Sequence, residues 1–495
     1  MSESYRTMRT NPVLYEINTW PWLERLSRRA GRRLTLGSVP DAEWDRLGAI
    51  GVDCVYLMGI WRRSAISRRI ARSDAQLFAR FDRALPDWRA ADVVGSAYSV
   101  AGYDVDPILG TNEDLAQVRG RLHARGMRLI VDFVCNHTAF DHPWVVAHPE
   151  RYVCAPEALF RGNPRAFQPI EVAGGDVRFV ACGRDPFFPP WTDVAQLNYF
   201  RPETRHAMID ELRRLAARAD GARCDMAMLV LSDVFARTWG HIVGAAPDVL
   251  DFWADAAAAV PDFYLIAEVY WDLERRLQQL GFGFTYDKSL YDRLLHGTGA
   301  SVRDHLRADV EYQRKSARFV ENHDEPRSAA VFGDRVRAAA VAALTVPGMR
   351  FLHDGQIEGR RLQTPVQLSR FADEPVDEPL RTFYERLLAA IASPAFHEGD
   401  WRLLDVGPGG GESYRDLAAW RWQHRDRSWL VVVNLGHAVA QGYVRVNADL
   451  PSRDRYVFED ALDGRRYPWE RGALEAGGGL YVRLDVGGAH VFRIL

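Results

Sequence analysis

Short apolar runs alternate with helical stretches along most of this 495-residue chain, and that alternation constrains the fold more than any other feature. Runs rich in β-branched and aromatic residues fall at 13–20, 53–61, 128–136, 222–229, 263–271, 318–324 and 349–354, with a weaker one at 283–287. Helical periodicity fills the gaps, as at 112–124, 202–219, 249–259 and 335–344. A strand that is apolar on both faces must be covered on both faces, which is the condition of a parallel sheet wrapped by helices. Eight such units predict a closed (β/α)8 TIM barrel, an α/β fold, over residues 1–137 and 192–395. Residues 138–191, rich in Pro, Gly and aromatics, predict a small irregular subdomain inserted after strand 3, and 62–95 carries a helical Arg/Ala/Leu pattern after strand 2. Beyond 396, short runs at 428–433, 442–446, 456–458 and 480–486 are separated by Gly, Asp and Asn; they predict a C-terminal antiparallel β-sandwich domain over 396–495.

Charge and cysteine usage narrow the function classes. A net charge of −3 argues against a nucleic-acid partner, which would call for a strongly basic face. No apolar run reaches the roughly 18 residues of a membrane span, and the first residues lack the apolar core of a secretory signal. Cys54, Cys135, Cys154, Cys182 and Cys224 are scattered, with no CxxC pair, so neither a zinc cage nor a disulfide framework is expected. A cytoplasmic enzyme without a membrane partner is the expectation.

Polar groups on otherwise apolar strands mark the candidate site. Asp132, Asn136 and His137 end the third run, Arg223 and Asp225 lie in the fourth, Glu268 ends the fifth, and Asn322, His323 and Asp324 end the seventh. Each carboxylate alone could cap the following helix. Together they sit where barrel strands converge on one mouth, the place catalytic groups occupy in this architecture. Arg223 and Asp225, two apart on a strand, share a face, with Cys224 turned the other way. The arginine is expected to lower the pKa of Asp225, as a carboxylate nucleophile needs, and the apolar setting of Glu268 to raise its own, as a proton donor needs. Two carboxylates with pKa values pushed apart are the requirement of glycosidic bond cleavage.

These motifs resemble the α-amylase family, glycoside hydrolase family 13. VDFVCNHT (131–138), GARCDMAML (221–229), IAEVYW (266–271) and FVENHD (319–324) are similar to the family's four short regions, in order, and YEINTW, AGYDVDPILGT and DGQ also look like family sequence. The resemblance implies that Asp225 is the nucleophile, Glu268 the acid/base and Asp324 the third carboxylate, holding sugar hydroxyls more tightly in the transition state. It also implies that His137 and His323 bind hydroxyls, that Arg223 orients Asp225, and that Tyr98 forms an aromatic platform under the reacting ring; Asp132 is read as structural. Three departures stand out. Met228 and Leu229 replace a Lys-His pair found in many amylases, predicting an apolar wall on the leaving-group side and disfavouring a long starch chain. Gln196 stands where a calcium-binding Asp often sits, while Asn136 matches another ligand; a neutral amide weakens such a site, so no metal or other cofactor is expected. Phe187, Phe188 and Trp191 could either line the sugar site or pack the insert against the barrel.

Three readings follow. The first is a retaining α-glycosidase acting on short α-glucosides or maltooligosaccharides, as the NHDEPR run and the Val after Glu268 suggest by likeness to members with short substrates. The second is a transglycosylase, isomerase or phosphorylase that hands the glycosyl group to a sugar, small alcohol or phosphate. The third, a non-catalytic glycan-binding or partner subunit, would ordinarily have lost a carboxylate that is retained here.

Overall fold

In the computed structural model the described residues are 8–172, 174–244, 252–446, 450 and 453–495. The first residues of the helix expected at 249–259 lie outside that set, and its described part is Phe252–Ala259.

All eight expected runs contribute a strand to one closed parallel barrel: β1 Val13–Asn18, β2 Cys54–Met58, β3 Arg128–Val134, β4 Gly221–Asp225, β5 Tyr264–Ala267, β6 Phe284–Tyr286, β7 Ser316–Arg318 and β8 Met349–His353. Each pairs with its neighbours in chain order, and β8 closes on β1. β1 to β4 and β8 are buried at every residue, which is why their sequences carry no polar face.

The strands stop earlier than their apolar runs, and each stop has a local cause. β2 ends at Gly59, whose φ of 75° suits glycine and whose N–H donates to the buried Asp132 carboxylate at 2.6 Å. The chain then forms Trp61–Arg63, antiparallel to Val100–Val105. β4 ends where Met226 turns left-handed at φ 44°. The expected strand 318–324 is overturned most clearly, because β7 finishes at Arg318. There the Asn322 side-chain oxygen accepts from the N–H groups of Asp324 and Glu325, both at 2.9 Å, and this turn replaces ladder pairing.

The insert is more regular than its composition predicts. Trp191–Gln196 lies between His137–Ala139 and Val177–Gly183 in an antiparallel sheet that also takes in Cys154–Ala155 and Phe167–Glu171. Short strands broken by Pro and Gly hid their period-two pattern. After β2, residues 62–95 supply the helices Ala65–Ala71 and Ala75–Ala84. The C-terminal residues form a six-stranded and a three-stranded antiparallel sheet that share a core including Leu430, Val432, Val444, Phe458 and Phe492. The helix Val336–Thr345, almost all small apolar residues, touches both β8 and these sheets. Trp420 and Trp422 donate their indole N–H groups to the Thr345 hydroxyl and carbonyl.

Candidate active site

Register builds the centre of the site. Arg223 pairs with Ile266 and Cys224 with Ala267, so Asp225 and Glu268 come level on adjacent strands at the barrel mouth. Cys224 is fully buried on the opposite face of β4. Arg223, itself 1% exposed, reaches all three carboxylates: Nη1 lies 2.5 Å from Asp225 Oδ1, and Nη2 lies 2.7 Å from Glu268 Oε2 and 3.6 Å from Asp324 Oδ2. Glu268 is further held by the Met226 N–H on Oε2 (2.7 Å) and the Tyr270 hydroxyl on Oε1 (2.8 Å). The left-handed turn at Met226 thus aims an N–H at the carboxylate.

Electrostatics separates the three acids, but not quite as the sequence predicts. Burial raises the Glu268 pKa to about 7; Arg223 opposes that rise, while Asp225 and Asp324 reinforce it. Asp225 was expected to be lowered by Arg223, yet its pKa is raised. Burial outweighs the guanidinium, and the negative charges of Asp324 and Asp132 add to the rise. The neighbouring arginine is visible in the sequence, whereas the loss of water is set by the fold. Asp324 goes the other way: burial would raise it, but His323 and then Arg223 carry it well below the usual carboxylate range. Its side chain remains 44% accessible, looking into the cavity, so solvent screens part of that effect.

The remaining expected residues gather around this centre. Tyr98 stacks on His323 with ring centroids 5.4 Å apart and its hydroxyl 2.5 Å from Nε2; the Arg223 guanidinium lies over the Tyr98 ring, 4.9 Å from its centroid. His137 has a pKa lowered to about 4 by burial, so it is neutral. With Nδ1 facing the Asn136 amide N–H, its Nε2–H donates to the Tyr98 carbonyl at 3.2 Å. His323 is cationic: burial opposes the charge, but Asp324 and Glu16 outweigh it. Glu16 was not singled out from the sequence. It sits fully buried in β1 and accepts from His323 Nδ1 (2.5 Å) and the His323 backbone N–H (3.2 Å). An acid inside an apolar strand was the available signal, because an unpaired buried charge is prohibitive. Asp132 does brace the strand ends, accepting from the Tyr56 hydroxyl and the Gly59 N–H.

These groups line a cavity of about 450 Å³ that includes Tyr98, His137, Asp225, Glu268 and Asp324. One wall comes from Ile70, Ala71, Asp74 and Leu77 of the helices after β2. That wall is tied to the insert, since the Ser67 hydroxyl donates to Asp193 at 2.6 Å. Met228 and Leu229 correct an expectation: both are buried in the core and neither lines the cavity, so they make no apolar wall for a leaving group. Met226 lines the cavity instead. Of the three insert aromatics, Trp191 lines the cavity edge-on to His137, Phe187, 65% exposed, meets Trp271 of the loop after β5 edge-on with ring centroids 5.1 Å apart, and Phe188 is 68% exposed.

The residues at the family's calcium position do not fit that ion. Gln196 Nε2 donates to the Asn136 carbonyl and side-chain oxygens (2.9 Å each) and to the Leu197 carbonyl (3.1 Å), so an amide nitrogen occupies the place where a cation would gather oxygens. Among the described residues no group of three or more His, Cys, Asp or Glu side chains could hold a metal.

Fold and site define a (β/α)8-barrel protein with three carboxylates converging on one arginine in a cavity at the barrel mouth. The catalytic-domain model of the α-amylase family matches residues 45–158. α-Amylase 3 of Dictyoglomus thermophilum is 23% identical over 300 residues, 56% of this chain and 55% of that protein. α-Amylase MalA of Haloarcula japonica is 25% identical over 346 residues, 68% of this chain and 46% of that protein. The chain therefore spans about half the length of these curated relatives. The maltogenic α-amylase AmyB of Thermotoga neapolitana shares the fold, with a TM-score of 0.67 at 18% identity over 98% of this chain and 99% of that one. The partial family-model match, the relatives and the shared fold all indicate the α-amylase family.

Proposed function

We propose that this chain is a retaining α-glycosidase acting on short α-glucosides or maltooligosaccharides. The observation that carries the reading is the single guanidinium of Arg223 holding Asp225 and Glu268 on its two terminal nitrogens. That arrangement supports the short carboxylate separation, about 5–5.5 Å, that double displacement uses. Asp225 would attack the anomeric carbon as Glu268 gives its proton to the departing oxygen, forming a glycosyl–aspartate ester and a free alcohol. Water then gives a proton back to Glu268 and attacks the same carbon, releasing Asp225. Asp324 and the cationic His323 would hold the hydroxyls of the reacting ring, and neutral His137 a further one. The wall of Ile70, Asp74 and Leu77 supports short substrates rather than a chain running through.

Transfer to a sugar, alcohol or phosphate is the second reading, because the outcome depends on what enters beside Glu268. The reading assigns no calcium, given the Gln196 contacts, and a cytoplasmic setting, given five unpaired cysteines. No described helix is long and apolar enough to cross a membrane.

The test is incubation with maltose, isomaltose, trehalose, sucrose and maltooligosaccharides, following the first-formed anomer by proton NMR, with and without phosphate or glycerol. An α-anomer formed first, and turnover abolished in Asp225→Asn while sugar binding persists, is expected. A β-anomer formed first, or an active Asp225→Asn, contradicts the reading. Added glycerol or phosphate appearing in the product selects transfer.

A further inference from the structure

Glu16 takes part in no step of the proposed reaction, yet it is an acid buried completely inside the barrel. Register sets it level with Tyr56 on β2 and His353 on β8, and its carboxylate lies against the turn that carries His323. Both of its oxygens are spent on that one residue: Oε1 lies 2.5 Å from His323 Nδ1, and Oε2 accepts the His323 backbone N–H at 3.2 Å. The other ring nitrogen meets a second acid, with Nε2 2.8 Å from Asp324 Oδ2. A neutral imidazole has one N–H and one lone pair. It could serve one of these carboxylates and would turn its lone pair on the other. With a carboxylate at hydrogen-bond distance from each nitrogen, the ring needs an N–H on both.

We propose that Glu16 is a positioning residue, which fixes His323 with an N–H on each ring nitrogen and so keeps Asp324 aligned on the hydroxyls of the reacting sugar. This rests on the glycosidase reading above. Charge, and not hydrogen bonding alone, is what Glu16 supplies. Around the imidazole stand Asp324 on its own turn, the Tyr98 hydroxyl 2.5 Å from Nε2, and Asp132 of β3, while Arg223 of β4 reaches Asp324 at 3.6 Å. Gln363, from the segment after β8, gives an amide N–H to the His323 carbonyl at 3.2 Å. Behind Glu16, His353 Nε2 lies 3.9 Å from Oε2, and Arg327 there is matched by Glu321 at 2.7 Å. Burial opposes the imidazolium, and it is Asp324 and Glu16 that outweigh burial. With Glu16 neutralised, half of that support is gone. The ring can then settle as the neutral tautomer whose Nε2 lone pair accepts from the Tyr98 hydroxyl. Asp324, 44% accessible, loses the partner that holds it toward the substrate.

The test reads the imidazole directly. Nitrogen-15 NMR of the full chain with labelled histidine, the His323 signals assigned by their loss in His323→Gln, is expected to show both ring nitrogens protonated from pH 5 to pH 9. In Glu16→Gln a deprotonation should enter that window. The proton leaves as pH rises, so kcat/KM on maltotriose should fall roughly tenfold to hundredfold, mostly in kcat, and fall further toward alkaline pH. Glu16→Asp, which keeps the charge, should keep His323 doubly protonated and return the alkaline limb to its wild-type position. A wild-type His323 with one bare nitrogen at pH 7 overturns the proposal. So does a Glu16→Gln protein whose ring stays doubly protonated to pH 9, and so does a loss of activity equal at every pH, the mark of a merely structural role. Should Glu16→Gln not fold, the wild-type spectrum decides: a slowly exchanging, strongly downfield Nδ1–H proton supports the contact with Glu16, and its absence overturns it. Because the ring is read without substrate, a chain inactive on every sugar removes the glycosidase reading alone.

Discussion

Residue by residue, the site works by setting burial against charge. Glu268 and Asp225 share one guanidinium, yet both keep raised pKa values because water is excluded from them, whereas Asp324 looks into the cavity beside a cationic histidine and is lowered. Tyr270 gives this a testable sign. Its hydroxyl donates to Glu268 and so favours the ionised form. In its proposed role as general acid Glu268 must be protonated, so activity is expected to fall as pH rises through its pKa, about 7. Tyr270→Phe removes a partner of the charged form, so Glu268 keeps its proton to higher pH, and the alkaline limb of kcat/KM should move upward. A limb that stays put or moves down in the pH profile contradicts the assignment of Glu268 as the acid. The carboxylates themselves were legible in the sequence because each ends an apolar run. Glu16 was not, since its partner His323 lies 307 residues away and only the barrel brings them together. The direction of the Asp225 shift was not legible either, because the depth of burial belongs to the fold and not to the neighbouring arginine.

Among the elements, the eight strands could be read because parallel strands buried on both faces leave continuous apolar sequence. Their ends could not, because the stops are side-chain events: an N–H on Asp132 at Gly59, a left-handed Met226, an amide turn at Asn322. The functional residues sit on those short stubs, so the misplaced strand ends cost little in finding the site. The insert's sheet was missed because its strands are short and broken by Pro and Gly, and only its aromatic content was visible. The joint between insert and barrel carries a prediction. The Gln196 side chain shares three hydrogen bonds with Asn136, just beyond β3, with an amide where a cation would otherwise gather oxygens. Chelation with EDTA should therefore leave both the melting temperature and the activity unchanged, and added calcium should not raise the melting temperature. A drop on chelation that calcium restores would show a site the Gln196 contacts leave no room for.

Across the whole molecule, the parts hold one another in place. The Val336–Thr345 helix is buried by the barrel on one side and the C-terminal sheets on the other, so its small residues suit close approach to both. The insert and the helices after β2 meet at Ser67 and Asp193 and together line the cavity at the barrel mouth. Everything functional in the account depends on Asp225 forming a bond to the sugar. The most direct measurement is intact-protein and peptide mass spectrometry after incubation with a slow fluorinated α-glucosyl fluoride, which forms the glycosyl-enzyme faster than water clears it. The account predicts one added glycosyl group, on the peptide containing Asp225, and none in Asp225→Asn. A protein that turns over the reagent unlabelled, or carries the label on any other residue, would contradict it.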